Sequence, residues 1–342
     1  VAWDEITLDL GREMARLAPF GQGNPAPVLM ISGSTLFGIE DISRRRETAH
    51  RHLYLLDDRG RLLQVTWFNV GELPALGQRV DIAFRLSVGR WYGVERAQLK
   101  LVDWRPADPP TIEAMGCLLV GKRLFDWRDK GSAQHLLENL WCAWGDNLVI
   151  WAEGMASPPT ESVTRAELSK RRASALAILT PPAGPDILLD LLRQVQPENV
   201  YLLPPAPVLD PFPNELIRKV TGVLRTLLRV PGSSMDALRV AAQLGMRQAA
   251  IAVALRGLEA RGKVVLGYDS NGILRVYRPD DAPLSSGILA EIEDQERDRQ
   301  LQRIRDQSRD ALMYILKETR AYRRAYVTQS VQALFGSDKE AT

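Results

Sequence analysis

Val80-Asp81-Ile82-Ala83-Phe84-Arg85-Leu86-Ser87-Val88 alternates without a break, with a bulky apolar residue at every even position. A period of two places those side chains on one face of a strand and leaves Asp81, Arg85 and Ser87 on the other. Working outward, Leu53 to Leu56, Leu62 to Phe68 and Val94 to Trp104 read as further strands. They are joined by turns at Asp58-Arg59-Gly60 and from Gly89 to Gly93. Several short strands with hairpin turns between residues 28 and 106 predict a small barrel of the OB type. Before it, Ile6, Leu10, Met14 and Leu17 lie at helical spacing, and Pro19-Phe20-Gly21-Gln22-Gly23-Asn24-Pro25 ends that helix.

Beyond a linker at Pro106 to Pro110 the pattern changes. Four apolar runs, Cys117–Val120, Leu148–Trp151, Leu176–Leu179 and Val200–Leu203, alternate with helix-compatible stretches at Ser132–Cys142, Ser162–Arg172 and Pro185–Val195. This order predicts a small parallel α/β domain over 111–210. Residues 214–280 read as helices at Glu215–Arg229, Met235–Leu244 and Arg247–Arg261, followed by a hairpin turning at Asp269-Ser270-Asn271-Gly272. That is the order of a winged helix-turn-helix. From 281 to 342 a charge-dense stretch with helically spaced Leu and Ile predicts one or two long helices that contact an oligomer mate or a partner. The expected class is therefore α+β and multidomain.

Composition sets bounds on function. The chain has 342 residues, 45% of them hydrophobic and 25% charged, which is ordinary for a globular protein. Cys117 and Cys142 provide neither a disulfide framework nor a CxxC pair, as expected in a reducing cytosol. No apolar run approaches the ~20 residues of a membrane span and no leader precedes a cleavage site, so a soluble cytoplasmic protein is expected. The chain opens on Val1 within a helical pattern, as a piece excised from a longer protein would. Net charge is only +2, but it is unevenly spread. Residues 42–106 hold 12 Lys and Arg against 7 Asp and Glu, residues 214–280 hold 11 against 5, and residues 281–342 hold 10 against 11.

Two basic blocks point to a polyanion. On the barrel, Arg85 lies on the wet side of its strand, Lys100 shares parity with Gln98, and Arg90-Trp91-Tyr92 fills a connecting loop. Together these offer cations for phosphates and rings for bases. Arg44-Arg45-Arg46 is a second basic run, able to clamp phosphate or simply to be a solvated loop. In the winged helix, Arg247, Gln248 and Arg256 would face a groove, with Arg275 and Arg278 near a backbone. The run of alanines at 249, 250, 252 and 254 leaves few side chains able to reach base edges. Val120-Gly121-Lys122 lacks the rest of a phosphate-binding loop. Asp126 and Arg128 read as a structural ion pair, and Trp127, Trp141, Trp144 and Trp151 as core. The only histidines, His50, His52 and His135, have no carboxylate pattern around them, so no catalytic or metal-binding residue is assigned.

The string Leu17-Ala18-Pro19-Phe20-Gly21-Gln22-Gly23-Asn24-Pro25-Ala26-Pro27 resembles the segment that closes the DHH-associated domain of RecJ-family nucleases, just before their OB-fold. The resemblance continues through His52-Leu53, Asp57 to Gly60, Trp67-Phe68-Asn69, Asp81 to Phe84, Trp91, Gly93, Gln98-Leu99, Asp103 and Arg105-Pro106. Further along, Asp126-Trp127-Arg128 and Leu202-Leu203-Pro204-Pro205 look like parts of the extra C-terminal domain of longer RecJ proteins. The resemblance implies that residues 1–27 end a DHH-associated domain. It also implies that catalysis belongs to an upstream DHH domain with two divalent metals, Mn or Mg, whose ligands this sequence lacks. The expected role is to hold single-stranded DNA in repair and recombination, with a single-strand-binding protein or helicase as further partner. Two alternatives are an interaction scaffold built on the later domains and a free-standing winged-helix regulator.

Overall fold

In the computed structural model the residues described are 1–43, 49–57, 61–91, 94–107, 119, 121–168, 171–229, 235–268, 274–282 and 297–335. Five strands, β1 (Leu29–Asp41), β2 (His50–Leu56), β3 (Leu62–Phe68), β4 (Arg79–Trp91) and β5 (Val94–Pro106), close into a barrel in the order β1-β2-β3-β5-β4. All neighbours are antiparallel except β3 and β5, which run parallel where Thr66 meets Lys100. The alternation has the consequence expected of it. Ile82, Phe84 and Leu86 point inward with Leu36, Leu53, Leu55, Val65, Leu99 and Leu101 to form one core.

The N-terminal helix α1 (Leu8–Ala15) starts where Thr7 accepts a hydrogen bond from the Leu10 amide. It plugs the barrel with Ile6, Leu10 and Met14, while Leu17, expected on the same apolar face, lies beyond the helix and is exposed. Residues expected to close a preceding domain thus pack on the barrel. The Asn24 side-chain amide donates to the Leu17 and Pro19 carbonyls, which fastens the Pro-Gly loop.

The chain divides into two compact units. One comprises Val1–Ala107, Leu228–Ser234 and Ala252–Ile315, and the other Asp108–Leu227, Met235–Ile251 and Leu316–Thr342. The second is built on a sheet of β6 (Arg123–Asp126), β7 (Leu148–Trp151), β8 (Ser162–Val163), β9 (Ala175–Ile178) and β10 (Asn199–Leu202), ordered β6-β10-β9-β7-β8 and parallel throughout. Helices α2 (Ala133–Trp144) and α3 (Pro185–Val195) accompany it. Separate apolar clusters lie on its two faces, as a parallel sheet requires. The expected strand Cys117–Val120 lies outside the described residues except for Leu119, and the first described strand of the sheet is Arg123–Asp126. Ser162–Arg172 is not a helix; it supplies the short strand β8 and turns. Trp151 is core, but Trp141, also expected there, is 41% exposed.

The later helices are α4 (Pro213–Leu227), α5 (Ala237–Leu244) and α6 (Gln248–Glu259), followed by paired strands Val265–Tyr268 and Leu274–Tyr277. Asp236 caps α5, accepting from the Leu238 amide. The expected winged helix does not cluster as a unit of its own, because α6 divides at Ile251/Ala252 between the two units. A long helix, α7 (Arg297–Thr328), and a short one, α8 (Val331–Phe335), follow.

Candidate nucleic-acid interface

Strand parity defines the outer wall of the barrel. With Leu53, Val65, Leu99, Phe84 and Leu86 committed to the core, His52, Thr66, Lys100 and Arg85 point outward and lie side by side across β2, β3, β5 and β4. Arg85 and Lys100 sit directly opposite each other and are both exposed. Neither forms an ion pair with a described residue. Like charges opposed across a strand pair cost roughly 0.2–1 kcal/mol, which a bound anion would reverse. Gln98 and Arg96 continue the exposed outward series along β5. Opposite Arg96 stands Gly89, and a side chain there would meet the Gln98 amide at 2.2 Å.

Aromatic surface lies beside these cations. Phe68 shares parity with Thr66, is 48% exposed, and meets the His50 ring edge-on at 5.1 Å. The Thr66 hydroxyl is 3.1 Å from His52 Nδ1. Burial holds the His52 imidazole below its ordinary pKa, against a smaller opposing pull from Glu40, and so favours its neutral form. A row of cations edged by an exposed ring is what unpaired nucleic acid requires: charge for its phosphates and a flat apolar face for its bases.

The other expected contact residues fare differently. Arg44, Arg45, Arg46 and Tyr92 lie outside the described residues, as do the side chains of Arg90 and Trp91 at the end of β4. Arg256 is buried at 4% and paired with Glu259 at 2.9 Å, and Glu259 also accepts from the Leu266 amide. Arg247 is engaged by Asp186 and Glu318, each at 3.1 Å. Ala249 through Ala260 are buried without exception, so α6 is a core helix and not the groove-reading element expected. Gln248, Arg275, which lies opposite Gly267, and Arg278 are half-buried. Phe68, His52 and Arg96 were missed by sequence reasoning. The signal was available as the even-numbered positions of β2, β3 and β5 once the inward set was known.

Several polar side chains of the second unit are spent internally. Arg128 holds Asp126 with two hydrogen bonds, of 2.8 and 2.7 Å, and donates to the Tyr326 and Gln329 carbonyls. Lys122, beside the incomplete glycine loop, donates to the Pro197 carbonyl. Glu153, 3% exposed, accepts from the Arg165 amide, and burial raises its pKa. Among the described residues no three His, Cys, Asp or Glu side chains stand together as a metal site. These residues therefore do not fit the two-metal centre that the resemblance implies, and no catalytic step is assigned to them. No helix of the described residues is long and apolar enough to cross a membrane.

The barrel can be placed among known proteins, because residues 1–103 match the RecJ OB domain family. The barrel is similar to the OB domain of RecJ. Over 214 residues, 58% of this chain and 25% of the relative, the chain is 25% identical to the single-stranded-DNA-specific exonuclease RecJ of Bacillus subtilis. The crystal structure of Thermus thermophilus RecJ with Mg2+ is 20% identical over 70% of this chain and 33% of its own, with a TM-score of 0.23. The Mn2+ complex of the same protein is 21% identical over 70% and 32%, with a TM-score of 0.24. The chain thus spans about a quarter of the Bacillus RecJ and a third of the Thermus RecJ chains.

Proposed function

We propose that the RecJ-like OB barrel holds single-stranded DNA across its β2–β3–β5–β4 wall. Phosphates would lie on Arg85, Lys100 and Arg96 and a base would stack on Phe68. The observation that carries this reading is the unneutralised Arg85–Lys100 pair beside an exposed ring. In a longer RecJ-like protein the barrel would present the strand to a metal-dependent phosphodiesterase domain, serving DNA repair and recombination. The helices α5 and α6 with their hairpin keep the order of a winged helix, and the burial of α6 supports an architectural role for them rather than duplex reading.

The test is fluorescence anisotropy with oligo-dT across a range of salt. Three phosphate contacts predict a fall of about 2 log units in affinity per log unit of salt, at roughly 0.7 for each contact. A flat response would overturn the proposal. A second reading, a scaffold that recruits a helicase or single-strand-binding protein, is favoured by an apolar cleft of about 660 Å3 in the second unit, lined by Leu137, Trp141, Met155, Pro158 and Pro159. The tail itself supports it less, since Ala311, Leu312, Ile315, Leu316, Tyr326, Val331 and Phe335 are all buried.

A further inference from the structure

β1 pairs with β4 only as far as Thr35–Arg79, yet it continues to Asp41. Leu36 still donates to the Gln78 carbonyl and accepts from the Gly77 amide, but past it the edge of β1 facing away from β2 has no strand partner among the described residues. At Ile39 that edge is met by a side chain: the Ile39 amide donates to Gln307 Oε1 at 3.3 Å, and Gln307 Nε2 donates to the Ile39 carbonyl at 2.6 Å. One carboxamide thus makes both bonds that a neighbouring strand residue would make, and the flipped amide would set N–H against N–H and oxygen against oxygen.

The fit around this contact is close. Gly38 has no side chain where a Cβ would lie 2.8 Å from Gln307 Oε1. At Gly77, with φ +86°, a Cβ would come within 2.5 Å of the Ala311 carbonyl oxygen. Arg303 pairs with Glu40, which also accepts from the Tyr54 hydroxyl at 2.7 Å. Phe37, apolar and 3% exposed although absent from the barrel core, lines a cleft of about 430 Å3 with Ile304, Gln307, Tyr54 and Gln64.

We infer that residues 303–311 of α7 are a built-in fence on the OB barrel. Gln307 seals the open edge of β1, the helix lies against the outer wall at Tyr54, which is half-buried, and a single strand is confined to the Phe68–Thr66–Lys100–Arg85 level beside it. Gln307 is a positioning residue that need not touch DNA. The inference rests on the proposed single-strand binding, but its first half can be read without DNA. Hydrogen exchange on the whole chain should show the Ile39 amide exchanging at least about tenfold faster in Gln307→Ala, with the barrel amides of β4 and β5 unchanged. Gly38→Ala, which pushes on the same carboxamide, should do likewise. Unchanged exchange at Ile39 in both variants would overturn the fence.

The second half is read with oligo-dT carrying 4-thiothymidine, crosslinked and mapped by mass spectrometry. In the native chain, adducts are expected at Thr66–Phe68 and Arg96–Lys100. The Arg303→Ala, Gln307→Ala double variant should add adducts at Tyr54. Native adducts at Tyr54, or an unaltered map in the double variant, would overturn the confinement and leave barrel binding standing. Absence of any salt-sensitive binding would instead remove the proposed function and with it the confinement, while the exchange result would still decide the fence.

Discussion

Arginine does opposite work in two regions of this protein. On the β4–β5 wall Arg85 is exposed and faces another cation, whereas Arg256 on α6 is 4% exposed and tied to Glu259. Both belong to segments with an excess of positive charge, of 12 against 7 and 11 against 5 residues. The lesson is that the charge balance of a segment does not distinguish a binding surface from a buried ion pair. What distinguishes them is whether the fold turns the cation toward water or toward a carboxylate, because a buried charge must be neutralised where it lies.

The contrast is tested most severely by Arg256→Ala. Removing Arg256 takes the 2.9 Å ion-pair partner from a buried Glu259 carboxylate, so urea unfolding should report a loss of about 3–5 kcal/mol, with oligo-dT affinity unaltered below the transition. A stable variant that binds DNA poorly would reverse the comparison. Next in size, Phe68→Ala should weaken single-strand binding by about 1–3 kcal/mol in anisotropy titrations while leaving the salt slope unchanged, because stacking is not ionic. The double variant Arg85→Ala, Lys100→Ala should do the converse. Its salt slope should shrink by roughly 1.4 and its stability should stay the same or rise by a few tenths of a kcal/mol as the like-charge opposition disappears. Stability that fell by several kcal/mol would mean that these cations are structural.

The smallest effect concerns pH. The His52 pKa is depressed in the folded state, so below its ordinary value of 6.5 the unfolded chain takes up a proton that the folded barrel resists. Stability should therefore decline as pH falls from 6.5 toward the folded pKa and be indifferent to this group well above 6.5. Thermal unfolding of His52→Gln should show a shallower decline, and identical pH profiles would remove His52 as its source.

The barrel was legible because each strand has one wet face, so burial is written as alternation. Arg85 and Lys100 could be placed outward from parity alone. The same logic hid α6: a helix buried on every side has no polar stripe, and its alanines read as short surface residues when they are the close-packed interior. Strand β6 was not read as one because Arg123 and Asp126 bracket its apolar pair, as befits a sheet edge. Gln307 gave no signal at all, since an amide on a charged helix has no pattern that marks it as a substitute for a strand.

The second unit draws its apolar cluster from far-separated stretches. Val149, Leu176 and Val200 come from the sheet, and Tyr326, Val331 and Phe335 from more than a hundred residues later. During synthesis the ribosome must therefore release the whole sheet well before the side chains that cover that face emerge. Until then the nascent protein covers that greasy face with α3 alone, which makes this half the natural client of a chaperone and the half at risk when translation stops early.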